Sequence, residues 1–286
     1  MKRVVIGIDV GGTMTKIAGF RETETGEKEL IAPEFVQATD PLTSAYGALG
    51  KFTVQNDLAL TDIDRILMTG AGSSFITKPI YGLQCQPVPE FSCIGMGGLY
   101  LSGLKEAVVV SMGTGTALIH AKKEADGARV TYLGGTGVGG GTLVGLCRRL
   151  LGVDTVKHIE QLAEQGNLDN VDLRIKDISQ NHLYHGINEN LTAANFGKVS
   201  DLATPEDLAL GVSNMVAETV AMLSVFAART YGLQDIVLTG NLTTLSPIRR
   251  VFETMTASGS FGVRFLIPER SQFGTVIGAA LNRESE

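Results

Sequence analysis

The sequence predicts an α/β protein of two similar domains that face a shared cleft. Three observations predict it. An apolar strand, a glycine turn and a second strand occur over Val4–Phe20, and the same pattern returns over Ala107–Ala121. Short strand-like apolar runs alternate with longer stretches of helical spacing along the whole chain. The 35 glycines do not form linkers; they cluster directly after the apolar runs, where a backbone must turn tightly or approach a ligand.

Val4–Asp9 reads as the first strand, Val10–Thr13 as its turn and Thr15–Phe20 as the returning strand of a hairpin. A third strand lies near Leu30–Val36. Asp40 and Pro41 supply an N-cap and a first-turn proline for a helix over Leu42–Gln55, with Leu42, Tyr46, Leu49 and Phe52 on one side. Arg65–Thr69 is a buried strand ending at Gly70-Ala71-Gly72-Ser73-Ser74, and Pro87–Glu90 is a short extended segment. Ser92–Leu104 fits a helix in spite of Gly95, Gly97 and Gly98. Each such glycine costs about 1 kcal/mol relative to alanine, so close packing or a ligand is expected there.

A crossover near Gly103–Glu106 divides the chain into domains 1–106 and 107–286. Ala107–Ser111 opens the second domain as a strand, Met112–Thr116 is its glycine turn, Ala117–Ala121 returns and Arg129–Leu133 makes a third strand. The run Gly134–Thr142 leads into a helix over Leu143–Leu151. Polar, charged helices are expected up to about Asp201, then one long apolar helix over Asp207–Tyr231. Asp235–Thr239, Pro247–Thr256, Phe265–Ile267 and Gly274–Asn282 complete the pattern as strand, helix, strand and helix.

The formal net charge of −6 argues against a general nucleic-acid binder, which presents a basic face. It leaves room for a phosphate site, because backbone N–H groups hold phosphate without net charge. No uninterrupted apolar run approaches the roughly 20 residues of a membrane span, so no membrane partner is expected. Met1-Lys2-Arg3 runs straight into a strand too brief for a signal core, and Cys85, Cys93 and Cys147 form no CxxC pair; a cytoplasmic protein with free thiols is the expectation. His120, His158, His182 and His185 share no metal-ligand spacing with cysteine or carboxylate.

Four constellations point to nucleotide chemistry. In Asp9-x-Gly11-Gly12-Thr13-Met14-Thr15-Lys16 the glycines let backbone N–H groups approach phosphate, Thr13 adds a hydroxyl and Lys16 can stabilise phosphoryl charge. Asp9 stands at a strand end, where its carboxylate can hold a Mg²⁺-bound water. The spacing is not that of a Walker loop. Gly113, Thr114 and Gly115 repeat the turn in the second half, so two hairpins can clamp the β- and γ-phosphates of ATP between domains. Gly139, Gly140, Gly141 and Thr142 open a helix N-terminus beside the nucleotide, and Gly240-Asn241 follows a buried strand as an adenosine contact. The pair of turns resembles the actin-like ATPases, whose fold is two ribonuclease H-like domains around an interdomain nucleotide cleft.

The ordered segments DVGGTMTK, PEFSCIGMGGLYL, SMGTGTAL, GGTGVGGGTLVGL, TAANFGK, VLTGNL and FGTVIGAAL resemble those of type II, eukaryote-like, pantothenate kinases over nearly the whole chain. The resemblance implies ATP-dependent phosphorylation of pantothenate, with Mg²⁺, by a homodimer. It implies that Glu90 is the general base, which a primary alcohol attacking a γ-phosphate requires. It puts Thr116, Tyr132 and Gly135 on the substrate side. Many members carry an arginine for the pantothenate carboxylate where Tyr132 stands, and often a serine where Ala117 stands. Arg129, three residues earlier, is a candidate substitute, although a three-residue step along a strand changes face. Met215, Met222 and Phe226 of the long helix could form the dimer seam. Alternatives are a kinase for a related pantoyl acceptor and an ATPase switch or activator. Activators of that class carry an iron–sulfur cluster on cysteines, and closely spaced cysteines are lacking here.

Overall fold

The structure is a computed structural model that describes residues 3–23, 25–37, 40–125, 127–179 and 189–282. The first half forms β1 (Val4–Val10), β2 (Thr15–Glu22), β3 (Lys28–Val36), α1 (Pro41–Gln55), β4 (Ile63–Thr69), β5 (Cys85–Pro87) and α2 (Glu90–Ser102). The second half opens with β6 (Glu106–Met112), β7 (Thr116–Glu124), β8 (Gly127–Thr136), α3 (Gly140–Leu151) and α4 (Val156–Ala163). A small ladder follows, β9 (Leu173–Arg174) and β10 (Thr192–Ala194), with α5 (Ile175–Ile178) between its strands. The chain then runs through α6 (Pro205–Thr230), β11 (Asp235–Thr239), α7 (Ser246–Ser258), β12 (Arg264–Leu266) and α8 (Gly274–Leu281).

The two main sheets have one topology. The first has strand order β3-β2-β1-β4-β5 and the second β8-β7-β6-β11-β12. In each, the first three strands form an antiparallel meander, and the first strand pairs in parallel with the fourth. This is the repeat that the two strand–glycine–strand segments announce.

Each sheet has one outer helical cover. Ala45, Ala48, Leu49 and Phe52 of α1 bury themselves against Ile6, Ile8 and Ile17. Asp40 caps that helix as its sequence predicts: the Thr43 N–H donates to Asp40 Oδ2 at 2.6 Å, with Pro41 in the first turn. Leu42 lies outside the buried stripe and is 46% exposed, because the real stripe runs through Ala45 and Ala48. On the second sheet Val212, Val216 and Val220 of α6, with Phe252 of α7, cover Val108, Val110, Ile236 and Leu238. Among the described residues α6 is the helix long and apolar enough to cross a membrane, yet most of it is buried inside the protein, as befits a core helix.

The middle layer is where the two halves exchange. Helix α2 belongs to the first half by sequence, but Ile94 and Leu99 pack on Val109, Ile119 and Val237 of the second sheet. Helix α8 ends the second half, yet Val276, Ile277 and Ala280 pack on Ala18 and Phe20 of the first sheet. The helices cross back to back between the sheets. A Cβ on Gly97 would overlap the Gly274 carbonyl, and a Cβ on Gly98 would run into Val109. Close packing is therefore the reason for the glycines in α2. The helix is squeezed between a partner helix on one side and a sheet on the other.

Candidate active site

The first turn is set by β1 and β2. Their register places Asp9 opposite Lys16 and Val10 opposite Thr15, and the turn closes with the Gly11 N–H donating to the Met14 carbonyl at 3.0 Å. The second turn repeats this with Ser111 opposite Ala117 and Met112 opposite Thr116, closed by Gly113 N–H on Gly115 O at 2.9 Å. The two turns converge. Gly11, Gly12, Thr13 and Met14 line the same cleft as Gly113, Thr114 and Gly115, and a Cβ on Gly12 would lie 3.9 Å from Thr114 Oγ1. The cleft encloses about 690 Å³.

Two matching bends complete the walls. Gly70 follows β4 with φ +86° and Gly240 follows β11 with φ +94°, and both line the cleft together with Ala71 and Asn241. At Gly240 only a residue without Cβ fits, because any side chain would strike the Met112 backbone. The sequence reading picked Gly240-Asn241 and missed Gly70-Ala71. The signal was present: the dipeptide Thr-Gly ends both β4 (Thr69-Gly70) and β11 (Thr239-Gly240). Ile94 and Thr275 line the cleft with no signal in the sequence to mark them, and Ser111 and Ala117 of the second hairpin and Thr136 and Gly137 of the third glycine run line it as well. Thr275 arrives only because α8 crosses to the first sheet.

Glu90 is the first residue of α2, two residues earlier than the helix start its sequence suggests, so it is held by regular structure rather than by an extended segment. Its side chain looks into the cleft. Burial raises its pKa above the usual carboxylate value, and the nearby Asp9 carboxylate adds to the rise. Asp9 keeps part of its surface open to the cleft. Burial of its carboxylate still pushes its pKa up, against the pull of Lys16. Lys16 is displaced downward by burial, against the pull of Asp9, and its Nζ donates to the Gln272 carbonyl at 2.6 Å. That bond ties the first hairpin to the second half of the chain. Burial pushes the Cys93 thiol, one turn along α2, up to about 12, which makes it a core thiol rather than a nucleophile.

Several expected site residues fall elsewhere. Thr15 is buried with its hydroxyl accepting from Ser44 of α1 at 2.7 Å, so it holds the hairpin against its helix and does not line the cleft. The glycine run splits: Gly134–Thr136 finish β8, and α3 starts at Gly140, earlier than Leu143. Gly139, Gly140, Gly141 and Thr142 lie behind the second turn rather than on the cleft wall. The Gly140 and Gly141 N–H groups donate to the carbonyls of Gly113 and Thr114 at 2.9 and 2.8 Å, so the α3 N-terminus spends two of its first-turn donors on supporting that turn. A Cβ on Gly139 would reach Thr114 O at 2.7 Å. Thr142 donates to the Gly137 carbonyl and accepts from Gly139 N–H, closing the helix start.

Thr116, Tyr132 and Gly135, the residues expected to face substrate, line the cleft. The Thr116 hydroxyl donates to Val138 O at 2.8 Å. Arg129 does not join them. It pairs with Lys122 near the far end of β8, while Tyr132 pairs with Ile119. Three residues along a strand reverse the face, and the bulge in this ladder comes after Tyr132, so it restores nothing between the two. Tyr132 instead stacks flat on Phe91, centroids 4.1 Å apart and planes 5° apart.

His120 bonds Glu106 at 2.9 Å and stacks on Tyr231, and no cluster of three metal-ligating side chains occurs among the described residues. His182 and His185 lie outside the described residues. The TAANFGK segment is away from the cleft. Its Thr192 and Asn195 donate to Glu218 of α6, and the Phe196 N–H donates to the buried Asp172.

Two sheets of one topology, a cleft between them and a glycine turn from each define an actin-like ATPase fold. Solved structures agree on the fold. The activator of 2-hydroxyisocaproyl-CoA dehydratase from Clostridium difficile, with bound ADPNP, aligns with a TM-score of 0.63 at 18% identity over 97% of this chain and 93% of that one. A ROK family glucokinase from Streptomyces griseus, with glucose and AMPPNP, aligns with a TM-score of 0.58 at 14% identity over 97% and 98%. The Fumble family profile matches residues 106–261, more than half of the chain, and the protein belongs to the Fumble family. The chain is similar to the type II pantothenate kinase of Bacillus cereus (strain G9842), at 29% identity over 82% of this chain and 83% of that one. It is similar to that of Oceanobacillus iheyensis at 28% over 93% and 94%, and to that of Staphylococcus aureus (strain USA300) at 27% over 96% and 97%.

Proposed function

We propose that the protein transfers the γ-phosphoryl group of ATP to the primary hydroxyl of pantothenate, giving 4′-phosphopantothenate, the first step of coenzyme A synthesis. The observation that carries this reading is the meeting of two backbone turns, one from each sheet, in one cleft that also holds Glu90. The N–H groups of the two turns other than those of Gly11 and Gly113, which close the turns themselves, supply phosphate contacts without charge, and Lys16 supplies charge at the first turn. Glu90 takes the hydroxyl proton as the acceptor oxygen bonds to the γ-phosphorus. The bond from that phosphorus to its bridging oxygen breaks, and the electron pair leaves on ADP.

Mg²⁺ fits the donor set. Asp9, the carboxylate at the first phosphate turn, stands beside backbone and hydroxyl groups, a set that suits an ion that keeps its waters and takes most other ligands from phosphate. The working form is a cytoplasmic homodimer. Phe226 of α6, 55% exposed, with the half-buried Met215 and Met222, provides an apolar stripe for the seam.

The test is acceptor-dependent ATP consumption. ADP release that requires both pantothenate and Mg²⁺ is expected, whereas turnover indifferent to any acceptor would point to a switch. Glu90→Gln is expected to lower kcat by about 10²–10⁴-fold with ATP binding retained. A base works deprotonated, so kcat/KM should fall as pH drops through the raised Glu90 pKa. The acid limb is therefore expected to have its midpoint above 4.5, the unshifted glutamate value. A limb centred below that value would remove Glu90 from this role.

A further inference from the structure

Charge in the cleft is confined to one end. Among the described lining residues the carboxylates are Asp9 and Glu90, and the cation is Lys16. Lys16 lies beside Asp9 at the first phosphate turn, with Nζ held by the Gln272 carbonyl. Beyond Glu90 the wall is Ile94, Ala117, Tyr132, Gly135 and Thr136, all neutral. Ile94 lies one helical turn after Glu90, and Phe91, the residue next to Glu90, stacks flat on Tyr132. The Tyr132 hydroxyl reaches back over the strand, 3.1 Å from where a Gly135 Cβ would be. The nearest basic residue on β8, Arg129, is on the other face of the sheet.

An acceptor carboxylate placed on this wall would lose water without gaining a cation, and it would share the cleft with two other carboxylates. An amide in the same place carries donor and acceptor groups that a tyrosine or threonine hydroxyl can answer, with no charge to desolvate. A short aliphatic arm beyond the amide can lie against the Tyr132 ring, which Phe91 backs by stacking.

We propose, resting on the kinase reading above, that this site favours pantoyl acceptors whose carboxylate is masked as an amide, the class of pantetheine, over free pantothenate. Tyr132, braced by Phe91, is the specificity-determining residue. The bonds made and broken and the path of the proton to Glu90 are unchanged; only the far end of the acceptor differs.

The test measures kcat/KM at neutral pH on the full chain, with ATP and Mg²⁺, for pantothenate, pantetheine and an N-alkyl pantothenamide. The two amides are expected to exceed pantothenate by at least about tenfold. Tyr132→Arg is expected to move the amide-to-acid ratio about tenfold or more toward pantothenate, and Tyr132→Phe by less than about threefold. Binding of a non-hydrolysable ATP analogue identifies the folded variants, and the wild-type ratio decides alone if Tyr132→Arg does not fold. Pantothenate turned over as well as the amides by the wild type overturns the proposal and leaves the kinase reading standing. No phosphorylation of any of the three overturns the kinase reading as well. An amide preference that survives Tyr132→Arg in full overturns the assignment to Tyr132.

Discussion

The two hairpins share a fold and differ in what they carry. At equivalent positions of the register, the first presents Asp9 opposite Lys16 and the second presents Ser111 opposite Ala117. The first turn therefore brings a buried carboxylate and a buried ammonium to the cleft, each disfavoured by desolvation and each moderating the other. The second brings backbone groups and a hydroxyl, propped from behind by the α3 N-terminus. One duplicated supersecondary unit has thus been divided by charge. The first lobe carries the charged groups of the cleft, and the second lines it with neutral ones.

Substitution at the charged position should give the largest effect. Asp9→Asn keeps the shape of the strand end and removes the anion that can hold a metal-bound water. A fall in kcat of about 10²–10³-fold is expected, with a raised Mg²⁺ requirement in steady-state assays. A variant with wild-type Mg²⁺ dependence would show that the two lobes do not differ in the way their charges suggest.

Much of this division was legible in the sequence, because hairpins are local. Asp9, Gly11, Gly12, Thr13 and Lys16 sit within one turn, and the order strand, glycine turn, strand fixes where they point. The meeting of the two turns followed from the repeat. Other features depended on contacts distant in the chain. The third glycine run reads as a ligand loop, yet its Gly140 and Gly141 N–H groups go to Gly113 and Thr114, carbonyls that only the folded β8–α3 connection brings near. Thr15 looks like part of the turn, but strand alternation aims it at Ser44. Arg129 fails by the same alternation. The exchange of α2 and α8 left only the helix glycines as a trace, and those do not say which surface they meet.

That exchange is the second place where the lobes can be compared, since the layer between them belongs to both. Gly97 faces α8 and Gly98 faces the second sheet. Gly97→Ala puts a methyl into the Gly274 backbone, where no flexible side chain can yield. A loss of about 1–3 kcal/mol is expected, opposed only in part by the better helix propensity of alanine. Thermal melting would report it as a drop of several degrees, roughly 2–4 °C per kcal/mol for a chain of this size class. A neutral outcome would mean that α2 and α8 can slide apart, and with them the sheets that form the cleft.

The smallest effect is expected at Ser111, the counterpart of Asp9. Ser111 lines the cleft, but it carries no formal charge and stands opposite Ala117 rather than an ammonium. Ser111→Ala removes at most one neutral hydrogen bond, about 0.5–1.5 kcal/mol, so kcat/KM should fall by no more than about tenfold. The kcat loss should stay well below that of Asp9→Asn in the same assay. The ratio of the two losses measures the asymmetry directly, because the two residues occupy equivalent points on equivalent strands. Equal losses would mean that the second turn holds an essential ligand of its own, and that the metal is gripped from both sides of the cleft.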